Sequence, residues 1–103
     1  MDNVRDSKEY SSMYITQSEL IARQACDLSE VIITAGGNTG YLRVYDGEST
    51  QGELKFVLKV PSDTTRPIGL RHDVYFRRGL YIEIVEQVDH CTILWRDRLA
   101  KEG

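Results

Sequence analysis

Two short pairs in this sequence carry the residue types that acid–base chemistry needs: His72-Asp73 and Asp89-His90. A histidine titrates near neutrality, and a carboxylate in contact with it can orient the ring and stabilise its charged form. The spacing argues against either pair as a dyad. Adjacent residues of a strand point to opposite faces, and both pairs fall in turn-like or strand-edge text, so surface histidines are the expectation. Asp46 and Asp63 also sit at turns, where an aspartate supports local backbone hydrogen bonds. No run has calcium-loop spacing, and Cys26, Cys91 and the histidines lack the spacing of a zinc site. Gly36-Gly37-Asn38-Thr39-Gly40 is as glycine-rich as a phosphate loop. It lacks the following Lys-Ser/Thr and the helix that would face the phosphate, and reads as a hairpin turn whose glycines supply positive φ. No serine lies in a nucleophile elbow. The expectation is a non-enzymatic chain with no catalytic centre, no cofactor and no metal, one that binds or builds.

Two groups of residues could bind. Arg66, Arg71, Arg77 and Arg78 lie near Tyr75, Phe76 and Tyr81, and arginines interleaved with aromatics can hold phosphates and stack bases. However, Tyr75 and Phe76 must face opposite ways, and thirteen basic against sixteen acidic residues give a net charge of −3. That balance opposes phosphate steering, so no nucleic-acid partner is expected and a protein interface fits better. The second group is Tyr41, Arg43 and Tyr45, which share one face of a strand. On an exposed face they form an aromatic stripe suited to assembly or to a sugar platform; facing a second sheet they would be core, at a cost for Arg43.

The elements that would position these residues are strands. With 103 residues, 41% hydrophobic and 28% charged, the chain has the composition of one globular domain. No window approaches eighteen apolar residues, so no membrane contact is expected, and Met1–Asp6 does not begin a signal peptide. Cys26 and Cys91 read as buried, reduced thiols, consistent with synthesis in a cytoplasm. Residues 1–17 are polar with no sustained period and read as an N-terminal arm, with Tyr10, Met13, Tyr14 and Ile15 as anchors for a partner; an unanchored leader is the alternative. From Ser18 onward, apolar runs alternate with turn signals. The runs are Glu19–Cys26 (an edge strand), Leu28–Ala35 (central), Tyr41–Asp46, Glu53–Pro61, one around Ile68–Phe76, Leu80–Gln87 and Cys91–Arg96. In Glu53–Pro61, Leu54, Phe56, Leu58 and Val60 are expected to face inward and Lys55 and Lys59 outward. The polar stretch Pro61–Pro67 is long enough to cross between sheets. The fold expected is all-β: an antiparallel β-sandwich of about seven strands over 18–96, with the jelly roll among the topologies it admits, and a charged tail over 97–103.

The turns also carry a recognisable order. Tyr45-Asp46-Gly47-Glu48-Ser49-Thr50-Gln51-Gly52 resembles the Y-D-G-x-S/T-x-x-G hairpin of small β-domain virion proteins of tailed bacteriophages. The strand Leu54–Leu58, then Phe76-Arg77-Arg78-Gly79-Leu80-Tyr81-Ile82, and finally Thr92-Ile93-Leu94-Trp95-Arg96 follow in the order those domains show. The resemblance covers about residues 28–96 and leaves residues 1–17 outside it. It implies a structural component of the virion, assembled from protein made in the host bacterium: a capsid decoration or cement protein, a head fibre, or a tail-associated module. The implied partner is the major capsid protein or another virion protein, and a homotrimer would suit threefold positions on a shell. The alternative function is a carbohydrate- or receptor-binding module of a fibre or tail, using the Tyr41, Arg43 and Tyr45 face.

Overall fold

A computed structural model describes residues 10–98. Eight strands make up the domain: β1 (Ser11–Ile15), β2 (Glu19–Ala22), β3 (Cys26–Ala35), β4 (Gly40–Asp46), β5 (Glu53–Val60), β6 (Thr65–Phe76), β7 (Leu80–Glu86) and β8 (Val88–Asp97). They form two four-stranded antiparallel sheets, ordered β1-β8-β3-β6 (sheet A) and β2-β7-β4-β5 (sheet B). The chain changes sheet at every connection except β4–β5, which is a true hairpin. Two four-stranded sheets wound in this order form a jelly roll.

Alternation explains the core. In β8, Cys91, Ile93 and Trp95 point inward; in β3, Val31 and Ile33 do; in β7, Leu80 and Ile82; in β4, Leu42 and Val44. Phe76, at the end of β6, is fully buried and stacks obliquely on Phe56 with ring centroids 6.4 Å apart. Each fully buried aliphatic side chain contributes about 1.5–3 kcal/mol. Cys26 and Cys91 are buried free thiols, pushed up to about 12 chiefly by that burial.

The structure departs from the sequence reading in four places. The expected boundary at Ser18 falls too late: Ser11–Ile15 is a strand of sheet A, paired in register with β8 from Ser11↔Trp95 to Ile15↔Cys91. Met13 and Ile15 take the inward positions of that register, so their side chains are core and not free anchors. Residues 1–9 of the expected arm and 99–103 of the expected tail lie outside the described residues. Second, Gly36–Gly40 joins strands of opposite sheets and is no hairpin, and none of its glycines has positive φ. Close approach is the reason for Gly40, since a Cβ there would lie 2.8 Å from the Gln87 carbonyl oxygen. Third, a bulge between Val44 and Tyr45 shifts the pairing so that Leu54 lies opposite Tyr45, and Leu54 faces outward at 48% exposure. Phe56, Leu58 and Val60 keep the inward side, the first two only half-buried because β5 is an edge. Fourth, His72-Asp73 lies within β6 and Asp89-His90 within β8, not in turns. β6 begins earlier than expected and contains Pro67, which an edge strand tolerates because one side of it has no ladder to break.

Candidate functional site

Sheet B presents its outer face to solvent, and its register brings four side chains from four strands into one row. Leu20 of β2 pairs with Tyr81 of β7, Tyr81 with Tyr45 of β4, and Tyr45 with Leu54 of β5. The next row holds Glu83, Arg43 and Val57, and beyond it Tyr41 lies opposite Lys59. The stripe Tyr41, Arg43 and Tyr45 is therefore the central strand of a wider face. Tyr45 is only 8% exposed although it points outward, because its neighbours cover it; its ring lies 6.4 Å from that of Tyr81 at a tilt. Val57, on the edge strand β5, is 55% exposed.

One carboxylate organises the polar part of this face. Glu83 Oε1 accepts a hydrogen bond from the Tyr45 hydroxyl at 2.9 Å and a weaker one from Arg43 Nη1 at 3.4 Å. Burial, and then the bond to Glu83, push the Tyr45 phenol above its ordinary value. The Arg43–Glu83 pair is solvent-facing and worth at most about 1 kcal/mol, so it orients rather than stabilises. Its effect is to neutralise the one cation of the stripe within the sheet. What remains around Tyr45 is an apolar and hydroxyl-bearing surface, with the exposed Lys59 at its margin.

The outer face of sheet A is different. Asp27 is buried, and Arg98 Nε sits 3.0 and 3.1 Å from its two carboxylate oxygens, while Arg96 Nε lies 3.6 Å from Oδ2. Tyr10 donates its hydroxyl to Asp73, which also faces Arg96 at 3.9 Å. That hydrogen bond, followed by burial, raises the Tyr10 phenol. The guanidinium of Arg96 covers the Tyr10 ring at 5.2 Å and that of Arg98 covers Tyr75 at 4.7 Å. Tyr10 thus belongs to a network that ties both ends of the described chain to β3 and β6. Tyr14 is the one proposed anchor left open, 63% exposed with its ring 5.3 Å from that of His90.

The seven residues singled out from sequence therefore separate. Tyr41, Arg43, Tyr45 share the face of sheet B; Tyr10 and Tyr14 lie on sheet A; Met13 and Ile15 point between the sheets. Sequence reasoning missed Leu20, Leu54, Val57, Tyr81 and Glu83 as parts of the first face. Alternation within each strand assigns them a side, but only the cross-strand register puts them next to Tyr45. Among the described residues, no three His, Cys, Asp or Glu side chains are placed to share a metal ion, and no helix is long and apolar enough to cross a membrane. No protein-family model matches the chain, and no curated protein matches it.

Proposed function

We propose that this protein is a non-enzymatic structural component of a tailed-bacteriophage virion, a decoration protein that binds the capsid shell in many copies through the outer face of sheet B. The observation that carries this reading is the row Leu20–Tyr81–Tyr45–Leu54, with Val57 beside it and the Arg43 charge already neutralised by Glu83. Leu54 and Val57, 48% and 55% exposed, gain from a partner that removes them from water, while Tyr45, already covered by its neighbours, gives the row a rigid centre. The order of turn motifs, which resembles that of phage β-domain proteins, directs the reading to the virion. A small domain repeated around a shell needs only modest single contacts, because neighbouring copies hold one another at high local concentration. A cyclic trimer would place the same face around a threefold axis.

Val57→Asp tests it, since an exposed position tolerates the change without loss of fold. The unmodified protein should have a trimer mass by light scattering at micromolar concentration and should be recovered on phage particles at a copy number matching the shell symmetry. The variant should lose both while keeping its thermal midpoint. A monomeric protein with no affinity for shells, or a variant that trimerises and decorates normally, would overturn the reading.

A further inference from the structure

The sandwich has an open side where β5 of sheet B and β6 of sheet A are both edge strands. At one end of that seam lies a cleft of about 280 Å³, lined by Asp46, Glu53, Lys55, Tyr75, Arg77 and Arg78. Three cations gather here in a chain whose net charge is −3. The turn that carries two of them is held firmly. The buried Asp46 carboxylate accepts the backbone N–H groups of Arg77 and Arg78 at 3.0 and 2.8 Å. Gly47 N donates to the Gly79 carbonyl at 3.2 Å, and a Cβ on Gly79 would lie 2.8 Å from the carbonyl oxygens of Ala22 and Gly47. The charge of Asp46 is thus engaged by the backbone. The Arg77 and Arg78 side chains have no ion-pair or hydrogen-bond partner among the described residues. Lys55 stands on the other wall, its ammonium 6.0 Å from the Phe76 ring centroid, and Tyr75 adds a half-exposed ring, one face of which carries the Arg98 guanidinium at 4.7 Å.

We propose that this cleft binds a carboxylated sugar unit of a glycan. Two guanidiniums on a rigid turn suit a planar carboxylate, which arginine holds through paired N–H donors. The Tyr75 ring face that Arg98 leaves uncovered supplies the aromatic wall on which an apolar sugar face can lie. Glu53 separates this ligand from a phosphate: its carboxylate repels a dianion but accepts hydrogen bonds from ring hydroxyls, which Lys55 can also donate to. The volume lies below the roughly 300–1,000 Å³ of drug-sized pockets, which limits the occupant to about one sugar ring. The cleft lies on the β5–β6 side and not on the outer face of sheet B, so this site and the shell-binding face can fail independently.

The test is an amide-resolved NMR titration of the full chain with sialyllactose and with a galacturonate dimer, against lactose and inorganic phosphate at the same ionic strength. At least one acidic sugar should shift the Tyr75, Arg77 and Arg78 amides, with affinity at least tenfold above that for lactose and for phosphate. Arg77→Ala and Arg78→Ala, both at exposed positions, should each weaken binding at least tenfold with an unchanged thermal midpoint. Glu53→Gln should narrow the gap between sugar and phosphate. Absence of shifts with both acidic sugars, equal binding of lactose or phosphate, or full affinity in both arginine variants would overturn the proposal.

Discussion

Replacing Ile15 by alanine is the sharpest test of where the domain begins. Ile15 is 2% exposed and lies opposite Cys91 at the end of β1. The change removes three buried carbons, about 2.4 kcal/mol at ~0.8 kcal/mol each. A cavity term adds to this, but β1 is an edge strand and can settle inward, so a total of about 3 kcal/mol is expected. With a urea m-value of about 1–1.5 kcal/mol/M for a domain of this size, the midpoint should fall by roughly 2–3 M. Tyr14→Ala serves as the control on the neighbouring position. Its side chain is mostly in water, and only the contact with His90 is lost, so the change should stay within about 0.5 kcal/mol. Deleting residues 1–17 should cost more than either, because it bares one edge of β8 and the inward side chains of Ile93 and Cys91 that β1 covers. Equal midpoints for the two point variants, or a deletion that melts like the full chain, would refute the assignment of β1 to the core.

Three other outcomes are expected. Burial holds the Cys26 and Cys91 thiols at about 12 against an ordinary 9.0, so the unfolded chain ionises first. Their stability contribution is complete below about pH 9 and falls at roughly 1.4 kcal/mol per unit and thiol up to about pH 12, and Cys91→Ala should lessen that slope in urea melts taken across the range. Asp46→Ala leaves two N–H groups of the β6–β7 turn without acceptors and should cost about 2–4 kcal/mol, whereas Asp46→Asn keeps one acceptor and should cost less, read from the same melts. Gly40→Ala must displace the Gln87 carbonyl and should destabilise by about 1–3 kcal/mol, while Gly37→Ala, with nothing within 4 Å, should change the thermal midpoint little.

Most of the strands were legible because period-2 alternation survives wherever one face is buried. Ile82 and Ile93 show their inward side in the text, and the run Val31-Ile32-Ile33 marks a strand with neighbours on both sides, as β3 has. β1 was hidden because its five residues, Ser11–Ile15, give only two apolar inward positions, and Tyr14 on the other side masks the alternation. Leu54 was misplaced because a bulge obeys the partner strand and not its own sequence. The glycines of Gly36–Gly40 invited a hairpin, yet the constraint on Gly40 comes from Gln87, far along the chain. The candidate face was legible only along one strand. Tyr41, Arg43 and Tyr45 are read from spacing, but Glu83, which binds two of them, is supplied by register with β7. The cleft was less visible still, since Lys55 and Arg78 meet only when two edges from different sheets come side by side.

The single hairpin in the topology has a kinetic consequence. Because the chain changes sheet at every other connection, almost no strand finds its partner by local search, and β3, the second strand of sheet A, waits for both β6 and β8. Among the described strands β1 waits longest: its sole ladder partner, β8, is the last of them to be synthesised. Loop closure over such separations must be completed before contacts reward it, which places folding in the slow, millisecond-to-second regime of non-local β proteins. On the ribosome, the β4–β5 hairpin is the one unit able to form early, while Val31, Ile32 and Ile33 remain uncovered until β8 has emerged. The interval between those two events is when the chain is most exposed to aggregation, and its length is set by translation speed over the segment from β6 to β8.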